Sequence, residues 1–281
     1  MKTENLQEWV GKTEERNDFL TSFPANAMAA TLNHEQLDYT KNKSLPPLWH
    51  WLYFLPIFKL SEAGYDGHAA LGDFLPPVQL PRRMWAGSRM EFFSPLQVGR
   101  EYKKTSKIKS VTAKSGSSGD LVFVTVSHEV SNGPAVFINE EHDIVYREKA
   151  TNSAVATKLV EAPKDFDFSI DINPDPVLLF RYSALTFNGH RIHYDLPFCT
   201  ETEGYGGLIV HGPLLATLLL DGLASHKPDA VVRNFEFRAM APVFDNMKFQ
   251  VKGIEQQSGE YSLWIEREDG SIAMNAKAKV K

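Results

Sequence analysis

The chain has 281 residues, 43 % hydrophobic and 23 % charged, enough for one large domain or two ordinary ones around a sizeable core; disorder is not the default. Thirty Lys and Arg against 35 Asp and Glu give a net charge of −5, which argues against nucleic-acid binding through a broad basic face. The single cysteine, Cys199, excludes an internal disulfide and a cysteine-rich zinc site and reads as a buried small hydrophobe.

From the N-terminus, MKTENLQEWVGKTEERND is polar and acidic, without an export core or an Arg- and Ser-rich import segment, and the expectation is a cytoplasmic protein. Leu6, Trp9 and Val10, then Phe19, Leu20 and Phe23, have the spacing of short amphipathic helices, so residues 1–40 are predicted to form a helical lead-in. Leu45 to Leu55 is apolar almost all round, with Pro46 and Pro47 in its first turn, and predicts a buried helix that stops at Pro56. Gly64 to Gly87 is a Gly- and Pro-rich loop ending in Arg82, Arg83 and Trp85; a loop this long inside a compact domain is usually functional. Strands are predicted at 88–93, 100–113, 121–131 and 135–147, an antiparallel meander, followed by a connector over 151–175.

Leu208 to Ala224 reads as a second helix, apolar on nearly every face and therefore enclosed. His211, Gly212 and Pro213 interrupt the apolar run, which is too short to span a bilayer. Strands follow at 231–238, 247–252, 260–268 and 272–280, where alternation such as Ile272, Met274, Ala276, Ala278 and Val280 puts one face in a core. A helix followed by four strands occurs in both halves and predicts an internal repeat, with Leu45-Pro46-Pro47-Leu48 aligned to His211-Gly212-Pro213-Leu214 and Met90-Glu91-Phe92 to Phe235-Glu236-Phe237.

Polar chemistry is concentrated before the second helix. FRYSALTFNGHRIHYD, residues 180–195, carries Arg181, Tyr182, Asn188, His190, Arg191, His193 and Asp195. An imidazole titrates near neutral pH and suits proton transfer. Gly212 opens a helix whose free N–H groups stabilise developing negative charge, while Pro213 has no amide to offer. His190 reads as structural. His190, His193 and Asp195 form an H-x-x-H-x-D run, but histidines three apart on a strand or irregular turn point different ways, so no metal is expected. Gly204-Tyr205-Gly206-Gly207 lacks the βαβ surroundings of a dinucleotide site. Arg82 and Arg83, beside Trp85, are candidates to clamp a carboxylate or phosphate.

FRYSALTFNGHRIHYD followed by GGLIVHGPL resembles the active-site segment of the MaoC-like enoyl-thioester hydratases, the group that includes hydratase 2 and the type 2 hydroxyacyl-thioester dehydratases. LPRRMWAGSRMEF resembles the N-terminal module of double-hotdog members acting on itaconyl-CoA or mesaconyl-CoA. The resemblance implies an α+β double hotdog, two antiparallel sheets each wrapping a long apolar helix. Residues 41–150 then form a supporting module with the loop 64–87 inserted, and 176–281 the catalytic one. The family places a catalytic Asp five residues before a catalytic His, positions occupied here by Asn188 and His193. Either His193 carries the proton transfer while Asn188 positions water, or Asp195 takes up the acid's role; the preserved spacing favours the first.

The resemblance implies a hydro-lyase that adds water to the double bond of a short, dicarboxylic 2-enoyl-CoA, itaconyl-CoA or mesaconyl-CoA. Gly212 would hold the thioester oxygen, and Arg82, Arg83, Trp85, Tyr182, Arg191 and His211 would contact substrate. No cofactor, nucleic-acid or membrane partner is expected, and the chain would act as a monomer, internally a pseudo-dimer, or as a homodimer. Alternative readings are an acyl-carrier-protein dehydratase of fatty acid synthesis, a hotdog thioesterase and a silent acyl-thioester-binding protein.

Overall fold

Alternating sequence is realised as ten antiparallel strands in one sheet. The computed structural model describes residues 4–116, 119–148 and 159–281. In chain order the elements are β1 (Thr13–Phe19), α1 (Ser22–Thr31), β2 (Arg82–Phe92), β3 (Glu101–Gly116), β4 (Gly119–Asn132), β5 (Ala135–Arg147), β6 (Phe168–Ile172), α2 (Pro176–Leu185), α3 (Gly212–His226), β7 (Val232–Ala239), β8 (Phe249–Gln257), β9 (Glu260–Arg267) and β10 (Ile272–Val280). The sheet order is β1-β3-β4-β5-β2-β7-β10-β9-β8-β6, the same sequence of equivalents from either end.

The two halves join where β2 pairs with β7. Met90 lies opposite Phe235, with Arg89 opposite Glu236 and Glu91 opposite Asn234 placed symmetrically around that pair. The internal two-fold therefore passes through Met90 and Phe235, two residues that the repeat aligns with each other.

α3 is the long apolar helix expected of the second half. Leu214, Leu215, Leu218, Leu219, Leu220 and Leu223 are buried, and each such side chain contributes about 1.5–3 kcal/mol through burial. The helix lies on β6, β8, β9 and β10. Contact is close at Gly222, where an added Cβ would stand 2.9 Å from Val251 and 3.2 Å from Phe168.

The first half has no equivalent long helix. Between Leu45 and Leu55 only Trp49–Leu52 is helical, one 3-10 turn, because Leu48 (φ 72°) and Phe54 (φ 55°) take left-handed conformations that stop the helical hydrogen-bond series. Leu45, Leu48, Trp49, Leu52, Tyr53 and Phe54 are nonetheless buried. An all-round apolar run signals enclosure, not conformation, so only the helix is corrected. Beside these apolar residues the half also buries a polar network. Glu140, 4 % exposed, meets His50 Nε2 at 3.0 Å, His142 Nε2 at 2.5 Å and Trp51 Nε1 at 2.9 Å. His142 continues to His128 at 3.2 Å, and His128 to Ser106 Oγ at 2.9 Å. Glu140, His50, His142, His128 and Ser106 are thus linked in one network.

The helical lead-in also needs correction. Thr13 to Phe19 is an edge strand paired with β3, from Thr13 opposite Lys107 to Phe19 opposite Glu101. Its polar sequence, TEERNDF, hid the strand because an edge strand with little burial shows no apolar alternation. Likewise the connector contains β6, paired with β8; residues 149–158 lie outside the described residues. Each module is therefore a strand, a short helix and four further strands. α1 and α2 pack together and end alike. Asn33 (φ 59°) and Phe187 (φ 50°) are left-handed, while His34 N–H donates to Ala29 O and Asn188 N–H to Ser183 O, each at 2.9 Å. No helix among the described residues is long and apolar enough to cross a membrane.

Candidate active site

Asp175 and Pro176 start α2: Asp175 Oδ1 accepts from Leu178 N–H at 2.7 Å, and Pro176 occupies the first turn. The sequence analysis predicts no helix here, although Asp175 followed by Pro176 is a helix-start signal. α2 ends at the left-handed Phe187, a conformation that costs a non-glycine residue about 1 kcal/mol or more and is retained where surrounding contacts impose it. The chain then turns through Asn188, whose Oδ1 accepts from His190 N–H at 3.0 Å, into one 3-10 turn, Arg191–His193.

His193 is buried, 6 % exposed, and its Nδ1 lies 2.7 Å from Ile209 O. Nδ1 must donate in that bond, which leaves Nε2 with the lone pair. Ile209 is itself held by its N–H on Ile192 O at 2.9 Å and leads into α3. Burial depresses the His193 pKa to about 3, so the ring is neutral. Its face stacks on His211 at 3.6 Å between centroids and 18° between planes. His211 is fully buried and meets Ser183 Oγ at 2.8 Å, with Tyr182 edge-on at 5.0 Å. The next residue, Gly212, starts α3 without a side-chain cap, and an added Cβ there would meet nothing within 4 Å. The amide of Gly212, next in the chain to the His211 imidazole, is therefore left without a side-chain cap.

A segment of the first module closes over this loop. Arg191 N–H donates to Asp66 O at 2.9 Å, and Gly67 (φ 88°) approaches Gly189 so closely that a Cβ on Gly67 would lie 2.0 Å from Gly189 O. Asp66 accepts from His68 Nδ1 at 2.9 Å and from His68 N–H at 3.1 Å. The His68 ring lies 4.1 Å from that of His190, which is 5.5 Å from His193. Burial, followed by the neighbouring His68 and His193, depresses the His190 pKa. Donor atoms of Asp66, His68 and His190 fall within 4.8 Å of one another, close enough for a cation to bridge, but both Asp66 oxygens already receive N–H groups of His68. Sequence reading missed Asp66 and His68 because only the fold brings GYDGH against the second module.

Several predicted residues have other occupations. Asp195 accepts from Arg191 Nε at 2.9 Å and Nη2 at 2.7 Å and from Phe198 N–H at 3.1 Å; these bonds hold its carboxyl below the usual range and leave it a brace for the loop. For Asp195 to take up the acid's role it would have to give up these bonds. Arg191 bonds Asp195 and Tyr65 O, the latter at 3.1 Å, so it too braces the loop. Arg82 is buried, with Nε 2.9 Å from Glu203, and clamps β2 to the 198–203 turn. Trp85 Nε1 donates to Ser88 Oγ at 2.8 Å, and its ring packs on His142 at 4.0 Å, within the aromatic filling of the first module. Tyr182, 2 % exposed and bonded to Thr217, is a core residue. Arg83 remains half-exposed, opposite Tyr146 on β5, and its charge acts on His68 and His190. Cys199 is buried, with Sγ 3.0 Å from Gly207 O, and burial raises its pKa to about 11.

The family model described as hydroxyacyl-thioester dehydratase type 2 matches residues 48–245, a span that contains the imidazole loop, the α3 start and the Asp66 segment. The mesaconyl-C(4)-CoA hydratase of Chloroflexus aurantiacus is 41 % identical over 281 residues, covering 100 % of this chain and 99 % of its own. Among solved structures, a MaoC-like dehydratase from Phytophthora capsici has a TM-score of 0.74 at 13 % identity, covering 100 % of this chain and 98 % of that one. A Mycobacterium tuberculosis protein described as a double hotdog has a TM-score of 0.61 at 12 % identity, covering 96 % of each chain. These structures establish the fold as an α+β double hotdog, with one of its two modules keeping the long helix. The sequence matches span the whole site, and on that ground the chain belongs to the hydroxyacyl-thioester dehydratase type 2 family.

Proposed function

We propose that this hydro-lyase hydrates a short 2-enoyl-CoA that carries a second carboxylate, mesaconyl-C4-CoA being the specific substrate. The observation that carries the reading is the neutral His193, its Nδ1 held by Ile209 O, together with the uncapped Gly212 amide. In the proposed reaction a water donates a hydrogen bond to His193 Nε2. Its oxygen bonds to C3 while His193 takes the proton, and the electron pair of the double bond moves onto the thioester oxygen. The Gly212 N–H meets that oxygen as charge develops, where the dipole of α3 favours it. Protonation at C2 completes the addition. Asn188 fixes the loop through Oδ1 and keeps its NH2 group for the water.

The relative named as a mesaconyl-C(4)-CoA hydratase supports the substrate, and Arg83 supplies the positive group for its distal carboxylate. The reading places the enzyme in the cytoplasm, where the free Cys199 stays reduced, and takes one chain as complete because its two modules already pair. The test is loss of enoyl absorbance with crotonyl-, itaconyl- and mesaconyl-CoA, followed by mass analysis. Addition of one water without release of CoA thiol is expected; thiol release would identify a thioesterase instead. Arg83→Met is expected to raise KM for mesaconyl-C4-CoA at least tenfold more than for crotonyl-CoA, about the worth of one charge-assisted hydrogen bond. Equal effects on both would remove the clamp.

A further inference from the structure

The hydration reading leaves one proton unassigned. His193 takes a proton from water, yet its ring meets imidazoles and a single carbonyl, and no carboxylate is bonded to it. Among the described residues the carboxylate bonded to this imidazole set is Asp66, with His68 Nδ1 at 2.9 Å. Burial lowers the His68 pKa, and the Asp66 bond works against that shift, so that the carboxylate is what supports a proton on this ring. The segment is fixed in place by Arg191 N–H on Asp66 O and by the contact of Gly67 with Gly189. It comes from the first module, although the loop it covers belongs to the second.

Resting on the hydratase reading, we propose that His68 is a second catalytic residue, the acid that protonates C2, and that Asp66 is its positioning residue. In the forward step the water O–H bond breaks and its proton goes to His193 Nε2. The C3–O bond forms, and the enolate carbon C2 takes the proton from His68 Nε2. One proton has left His68 and one has reached His193, so the pair is balanced once it crosses back. His190 lies between them, its ring 4.1 Å from His68 and 5.5 Å from His193, and the return runs toward the carboxylate. The ionisable groups facing His68 are Asp66, Arg83, His190 and His193.

The experiment compares the parent with His68→Gln and Asp66→Asn in enoyl-CoA hydration from pH 5 to 9, with melting temperature as a check on folding. His68→Gln is expected to lower kcat about 10²- to 10⁴-fold with little change in KM. Asp66→Asn is expected to keep some activity but to move the alkaline limb of the kcat profile about one unit or more to lower pH, because the imidazolium loses its counter-charge. If the parent hydrates the substrate and both folded variants stay within threefold of it with unchanged profiles, the assignment fails while the hydratase reading stands. Activity abolished by a chelator and restored by a divalent cation would overturn it too, in favour of a cation held by Asp66, His68 and His190. A parent that hydrates no enoyl-CoA would overturn both readings.

Discussion

A single backbone carbonyl decides what His193 does. Ile209 O fixes the ring and its tautomer, and the stacked His211 supports its face. His193→Ala is therefore expected to lower kcat by about 10²- to 10⁴-fold in the absorbance assay while the melting temperature changes little. The same burial makes stability depend on pH. The folded-state pKa of His193, about 3, is below the unfolded value near 6.5, and that of His211 is shifted in the same direction. Their contribution is thus fully present above about pH 6.5 and is lost as pH falls toward 3, since the unfolded chain binds protons that the folded chain refuses. Urea midpoints should fall between pH 7 and pH 5. In the sequence His193 is singled out by the resemblance of FRYSALTFNGHRIHYD to the active-site segment of the family. The occupations of Asp195, Arg191 and Tyr182 were not legible there, because local sequence does not say where a side chain's hydrogen bonds go.

Two elements set the site's geometry, α3 and the Asp66 segment. α3 is enclosed, so Leu219→Ala should cost about 2–5 kcal/mol in unfolding free energy, the usual penalty for a large-to-small change in a packed core. The Asp66 segment is held by shape. Gly67→Ala meets both a left-handed backbone and the Gly189 carbonyl, so the segment must lift from the imidazole loop. Activity should fall at least tenfold with a melting temperature near that of the parent. Unchanged activity would mean that this closure plays no part in turnover. α3 was readable because its composition permits only burial. The helix expected over Leu45 to Leu55 was not realised, because Leu48 and Phe54 leave the helical region while their side chains stay buried.

At the scale of the molecule, β2 and β7 join the modules into one sheet, and a single apolar cluster takes residues from both, including Met90, Tyr102, Leu214 and Phe235. Separate unfolding of either half would expose that cluster, so calorimetry should record one transition; two resolved transitions would contradict this. The buried network around Glu140 belongs to the first module, the one without a long helix. Several partners hold the Glu140 pKa well below its ordinary value despite its burial, so the stability it contributes is present above about pH 4.5 and is lost as pH falls below that. Removing the carboxylate with Glu140→Ala should cost about 3–5 kcal/mol, since it leaves His50 and His142 buried without their partner.

The sequence by itself determined the strands of both meanders, the enclosed helix, the repeat and the cluster of groups ahead of α3, because alternation, apolar composition and residue type are local properties that burial acts on directly. Only the tertiary structure decided that the edge strands β1 and β6 exist, that a polar network is buried in the first module, and that Arg82 and Asp195 are braces. It also brought Asp66 and His68 against the imidazoles of the second module. The reason is physical: β1 and β6 pair with strands that lie far along the chain, from Thr13 opposite Lys107 to Phe168 opposite Gly253, and Asp66 meets Arg191 of the other module, while the pattern around GYDGH carries no trace of these partners.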